Sequence, residues 1–341
     1  MNRMSQDNPD KSIEFLGDGT PVRSEAVGFA SGQMTACTAC VRQNPPDREN
    51  CLYCGRSLEV PPEYADRIKS NVRRLEDWEN GFNIIVGSET LPPQSELTRI
   101  AELVGAAPAD IEVAISTKQD LPIARVESRR DADKLAAAIA GSDIRVSIIA
   151  DTDLFADRLP TRLRAIEFGD GEITFIDFNR SARTTLAKAD IKLLVTGTIN
   201  ENKTDRLEKK GRRGSTKLLD ESETSSDESV LDIYSCLDPL GFRIMLTGFD
   251  FSCLGQDRGL LASENMRLLV TVLHDVVSDA RLISDYAAVR HALSPVWDID
   301  RRQDSKGMQR SGFAKQDFAN TASSSNLRQF NRYSRLQWHL V

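Results

Sequence analysis

Apolar residues in this chain fall into short runs whose period switches between that of a strand and that of a helix, most regularly from Gly81 to Asp151. A continuous apolar run at 82–86 reads as a buried strand. Leu97, Ile100 and Val104 then share one helical face, with Ser95 placed to cap that helix. A second helical stretch covers 109–115, followed by a strand at 123–126, a helix at 131–140 and a strand at 144–149, with Gly141 as the helix stop. Residues 81–152 are therefore expected to form a small β-α-α-β-α-β domain.

The pattern resumes at Pro160 with a different rhythm. "AIEFGDGEITFIDF" predicts a hairpin turning at Asp170-Gly171, and strands follow at 191–199, 230–236 and 242–249. Met266, Leu269, Val270, Leu273 and Val277 then lie on one face of a helix that starts near Ser263, and a further helix runs over 284–293 to the stop at Pro295. Residues 160–299 thus read as an antiparallel-β plus helix domain. It is interrupted by 205–229, whose basic and then acidic, serine-rich blocks predict a disordered insertion. Outside these two domains the signal is thinner. Residues 1–33 show no periodicity and read as a disordered leader. Pro61-Pro62 open a linker helix within 58–80, with Tyr64, Ile68, Val72, Leu75 and Trp78 as its stripe. In the basic, aromatic tail 300–341, Phe330, Tyr333, Leu336 and Leu340 fit a helix, while Leu336, Trp338 and Leu340 fit a strand. Either pattern docks the tail on a domain.

Composition changes this picture little. Of 341 residues, 40% are hydrophobic and 28% charged, which allows several soluble globular domains. The net charge of −7 shows no dominant basic face and lowers the expectation of a dedicated nucleic-acid binder. No apolar run is long enough to span a bilayer, so the chain is expected in the cytoplasm. Cys236 and Cys253, within apolar strand-like runs, are expected as buried thiols.

The sharpest chemistry lies at Cys37-x2-Cys40-x10-Cys51-x2-Cys54. Two close thiol pairs at this spacing can surround one tetrahedral ion, and four soft sulfur donors point to one structural Zn2+ with no open coordination position. Gly55 suits the turn after the second pair, whereas Val41 holds the equivalent place after the first. The segment "CTACVRQNPPDRENCLYCGRSL", with Asn44-Pro45 and Cys54-Gly55, resembles the short zinc-ribbon modules of bacterial multidomain proteins. Its cysteine and Asn44 spacing also resembles the Ran-binding-protein type of zinc finger, whose members bind single-stranded RNA or ubiquitin. Thr35 stands where that type has tryptophan, and Val41-Arg42 replaces the Thr-Phe pair of its ubiquitin binders.

The element order of 81–152 resembles the C-terminal domain of the ribosomal stalk protein and the related degron-capturing protease adaptor, which implies a compact protein-binding module. The later strands and helix, including "KADIKLLVTGTI", resemble a pleckstrin-homology-like domain. The expected fold class is multidomain α+β: an N-terminal four-cysteine zinc ribbon at 34–57, then the two α+β domains. Three histidines, His274, His291 and His339, sit in no catalytic constellation, and no phosphate-binding glycine loop is present. The expectation is a non-enzymatic adaptor or scaffold for protein partners. The alternative is an RNA-binding protein using the ribbon and the tail, whose Arg328, Arg332 and Arg335 interleave with aromatic rings.

Overall fold

The computed structural model describes residues 33–46, 48, 51–54, 56, 58–59, 75–76, 79–141, 143–155, 157–210, 216–312 and 315–341. The leader 1–32, Gly55 and most of the linker-helix stripe lie outside these residues. The chain divides into two compact units, Met1–Asn71 and Val72–Val341. The described part of the first unit is held by a two-stranded antiparallel ribbon, β1 (Thr35–Ala36) and β2 (Gln43–Asn44).

The second unit is mixed α+β. It begins with the expected element order: β3 (Phe82–Gly87), α1 (Gln94–Val104), α2 (Pro108–Ser116), β4 (Leu121–Val126), α3 (Arg129–Ile139) and β5 (Arg145–Ala150). The central β3 pairs antiparallel with both neighbours, bringing Ile84 level with Ala124 and Ile148. Capping differs from expectation. Pro93 precedes α1 and Ser95 lies inside its first turn, whereas Ser128 caps α3 by accepting a 3.0 Å bond from the Asp131 N–H. A one-turn helix, α4 (Asp151–Leu154), follows β5 and delivers Asp151 to a buried network. Its carboxylate accepts from the Gly81 N–H (2.7 Å), the Asn83 amide (3.0 Å) and Arg125 Nε (2.8 Å), while Asn83 Oδ1 accepts from the indole of Trp297 (2.9 Å).

The larger sheet runs in the order β13-β14-β9-β10-β11-β6-β7-β8, with β12 beside β9. Its strands are β6 (Thr161–Phe168), β7 (Glu172–Asp177), β8 (Arg183–Ala187), β9 (Ile191–Lys210), β10 (Thr216–Ser235), β11 (Asp238–Met245), β12 (Arg281–Ile283), β13 (Asp300–Gly312) and β14 (Lys315–Ser325). The hairpin at Asp170-Gly171 is present, closed by Gly169 N–H on the Glu172 carbonyl at 2.9 Å. The remaining helices are α5 (Ala262–Val276), α6 (Tyr286–Leu293) and α7 (Leu327–His339).

Strands β9 and β10 are buried on both faces where they cross the centre. Leu193 and Val195 of β9, with Val230 and Tyr234 of β10, join a core that continues into the three-stranded sheet and takes in Tyr286, Trp297, Phe330, Tyr333 and Leu336. Leu194, Leu231 and Ile233 point the other way, into a core completed by Phe175, Phe242, Leu269 and Leu273. This is the physical reason for the apolar runs at 193–195 and 230–234, the second broken only by Asp232. It also joins the segments 81–152 and 160–299 through one shared core.

Two expectations need correction. Within 205–229, expected as a disordered insertion, residues 205–210 and 216–229 lie in β9 and β10 and are paired antiparallel with each other. The tail 300–341 also carries strands that its apolar pattern does not announce: β13 and β14 form a second hairpin, β14 pairs with β9 from Glu201 to Lys209, and the chain ends in α7. Composition hid both because their pairing satisfies the backbone without an apolar face. Cys236 is exposed rather than buried, since the apolar run ends at Ser235 and the chain turns there into β11; Cys253 is half-buried.

The docked reading of the C-terminus is realised as a helix. Phe330, Tyr333 and Leu336 are fully buried, and Gly197 on β9 makes room for the Phe330 ring where a Cβ would collide with it. Beneath α7, Asp232 and Arg243, directly opposite each other on β10 and β11, form a buried bidentate pair at 2.6 and 2.7 Å. Ser334 donates to Asp232 at 2.7 Å and shares a 2.8 Å hydrogen bond with the Tyr234 hydroxyl. A helix of polar average composition is thereby buried on several sides, because Gln329, Ser334 and Arg335 find polar partners inside.

Candidate metal centre

The four motif cysteines meet in the first unit. β1 leads directly into Cys37, whose N–H donates to the Arg42 carbonyl (3.0 Å) while its own carbonyl accepts from the Val41 N–H (2.8 Å), closing a tight knuckle around Cys40. Val41 takes φ +60°, the left-handed conformation that glycine adopts without strain. The second knuckle is closed by the Cys51 N–H on the Arg56 carbonyl at 2.8 Å.

Asn44 holds the two knuckles together. Its side chain is fully buried; the amide nitrogen donates to the Arg42 carbonyl (2.9 Å) and toward the Cys51 sulfur (3.5 Å), and Oδ1 accepts from the Leu52 N–H (2.9 Å). The Arg42 guanidinium also lies over the Tyr53 ring at 4.6 Å, a second link between the halves. The position that carried the ribbon resemblance thus has a local structural reason.

All four Sγ atoms lie within 4.8 Å of one another, with Cys37–Cys54 at 3.6 Å and Cys40–Cys51 at 3.5 Å. Four sulfurs placed at about 2.3 Å from one ion in a tetrahedron are about 3.8 Å apart, so a set with two contacts at 3.5 and 3.6 Å and none beyond 4.8 Å lies close to the arrangement a metal ion needs. A disulfide, at about 2.05 Å, is a different geometry, and all four thiols are free. The cluster can therefore hold a metal ion. No family model, no curated protein and no solved structure matches this chain.

The electrostatics of the cluster favour thiolates unequally. Cys37 is held below the ordinary thiol range by the N–H groups of Cys40 and Ala39. Burial works against the Cys51 thiolate, yet the N–H groups of Tyr53 and Cys54, helped by Cys40 and Asn44, bring it down to about 6. The N–H of Arg42 acts in the same sense on Cys40, but burial and the neighbouring sulfurs push that thiol up to about 12. Four thiols packed this closely cannot all ionise without a cation among them.

The knuckle tips face solvent. Val41, Leu52 and Tyr53 are each more than half exposed, although they are among the largest apolar side chains of this small unit. Elsewhere, a polar recess of about 500 Å³ on the second unit is lined by Asn200, Asp227, Arg290, His291, Asp298 and Arg301 among others. His274 and His339 sit apart from it, in the last turns of α5 and α7. The tail arginines are largely taken up by the fold. Arg332 and Arg335 are buried, Arg335 donating to the Pro239 carbonyl and lying over the Tyr234 ring, and Arg328 pairs with Asp157 at 3.0 Å. Among the described residues no helix is long and apolar enough to cross a membrane.

Proposed function

We propose that this chain is a non-enzymatic zinc-binding adaptor or scaffold, in which one Zn2+ held by Cys37, Cys40, Cys51 and Cys54 staples a ribbon that meets a protein partner. The observation carrying this reading is the pairing of a closed four-sulfur cluster with outward-facing Val41, Leu52 and Tyr53. Four protein donors complete the coordination shell, which leaves an ion a structural role. Exposed apolar side chains on a small stapled unit, beside the Arg42 cation, are a surface of the kind that partners cover. Zinc is favoured over iron because both take four thiolates but the ribbon spacing is that of structural zinc sites.

The reading is tested in two steps. Elemental analysis should find one zinc per chain and a colourless protein, with metal lost in Cys51→Ser/Cys54→Ser; visible thiolate-to-iron absorption, or a metal content near zero, would overturn it. Leu52→Ser/Tyr53→Ser should then keep the zinc while losing a protein that cross-links to the wild-type ribbon in native extract. Retention of that protein by the double variant would remove the knuckle tips from the interface. The RNA-binding alternative loses support from the burial of Arg332 and Arg335.

A further inference from the structure

The two hairpins β9–β10 and β13–β14 combine into one antiparallel, four-stranded arm in the order β13-β14-β9-β10. Among the described residues its two edges are open. β11 covers β10 only from Val230 onward, so among the described residues β10 has no strand on its outer side from Thr216 to Glu228, and β13 is the terminal strand of the sheet. Unpaired edges of this length are templates for another strand unless charge forbids it.

Here the two edges carry opposite charge. The uncovered stretch of β10 contains Asp220, Glu221, Glu223, Asp227 and Glu228 against Lys217; β13 contains Arg301, Arg302, Lys306 and Arg310 against Asp300 and Asp304. Pairing β10 with β10, or β13 with β13, would align like charges, which is destabilising across strands. Pairing β10 of one copy with β13 of the next brings together edges of opposite net charge. The directions also agree: strands alternate antiparallel across the arm, so β10 and β13 run oppositely, and a second copy in the same orientation continues the alternation. The register is compatible as well. Arg301 is level with Ser324, Ser324 with Asn202 and Asn202 with Ser225, so a neighbour docked at the same height sets its Arg301 opposite Ser225, with Glu223 and Asp227 two residues away on the same face.

We propose that copies of this chain associate head to tail through the arms, the acidic β10 edge of one adding to the basic β13 edge of the next. Such an interface is heterologous: it leaves one free edge of each sign at the ends and generates a ring or a filament rather than a closed pair. A full-length β13 edge spans roughly 40 Å of backbone, enough for a continuous ladder. Because the recognition is electrostatic at exposed strands, salt weakens it.

The test uses the full chain, measured by light scattering and sedimentation velocity over a wide concentration range at low and high salt. Wild type should grow beyond a dimer with concentration at low salt and shrink at high salt. Arg301→Glu/Arg302→Glu makes both edges acidic, and Glu223→Lys/Asp227→Lys cancels the net negative charge of the β10 edge and sets a lysine on each side of the position that faces Arg301; each variant alone should stay monomeric. An equimolar mixture of the two should assemble again, and so should a chain carrying all four changes, which also shows that the variants are folded. Wild type that is monomeric throughout, a dimer that grows no further, single-edge variants that assemble as before, or a mixture that stays monomeric would each overturn the proposal.

Discussion

At the scale of residues, two side chains sit where their type is at odds with their surroundings. Val41 is β-branched yet occupies a left-handed position, which costs an L-residue about 1–2 kcal/mol, while its side chain is mostly exposed and contributes little burial. Part of that strain returns as lost chain entropy if glycine replaces it. Val41→Gly is therefore expected to bind zinc roughly two- to fivefold more tightly in a competition titration with a chromophoric chelator; equal or weaker binding would contradict the strain argument. Asp232 is the opposite case, a carboxylate with no exposure on an otherwise apolar strand face, tolerable because Arg243 and Ser334 saturate it. Asp232→Ala leaves Arg243 buried without its counter-charge and should destabilise the second unit by roughly 3–5 kcal/mol, whereas Asp232→Leu/Arg243→Leu should cost clearly less. Equilibrium urea unfolding of the two variants distinguishes these outcomes. The cysteine cluster was readable from spacing alone, and Asn44 stood out through its resemblance to known ribbons. Asp232 was not readable, since its partners lie on β11 and α7, 11 and 102 residues away.

At the scale of elements, α7 and the arm test how much of the fold each hairpin or helix supports. Phe330, Tyr333 and Leu336 are fully buried, and each contributes about 1.5–3 kcal/mol. Their sum rivals the whole stability of an ordinary domain. Deleting 326–341 should abolish cooperative unfolding and expose dye-binding hydrophobic surface; an unchanged melting temperature would refute the role given to α7. The arm should behave differently. Glu201 and Ser226 face each other on β9 and β10, so removing 202–225 and joining the ends with Asn-Gly recreates a hairpin below the arm. The melting temperature should move by only a few degrees, read by circular dichroism, because the cores begin at Ile199 and Val230. These two elements also mark where the sequence was legible. β3 to β5 with their helices were readable because each presents a clean period to one core. The arm strands were not, because they are polar on both faces and draw their order from backbone pairing, to which periodicity is blind. For α7, the apolar positions at 330, 333 and 336 were legible, but burial of Gln329, Ser334 and Arg335 around them was not, since it depends on distant polar partners.

At the scale of the whole molecule, the first unit has only Cys37, Cys51 and Leu58 as its buried apolar residues among those described, with Cys40 against them, whereas the second has two extensive cores of its own. Zinc removal should therefore unfold the first unit alone. Scanning calorimetry with and without a chelator should show the main transition in place, and its loss on chelation would contradict the independence of the second unit. That unit is expected to assemble its shared core late, for a reason contained in one hydrogen bond. The indole of Trp297 reaches back 214 residues to Asn83, and the Tyr333 hydroxyl reaches back equally far to Gln119. During synthesis at about 5–20 residues per second, the three-stranded sheet and its helices would wait roughly 10–40 s for the side chains that cover them. Through that interval the nascent chain presents an uncovered apolar surface to the cell, so its yield should depend on elongation rate and on chaperones that hold unfinished chains, more than the stability of the finished protein would suggest.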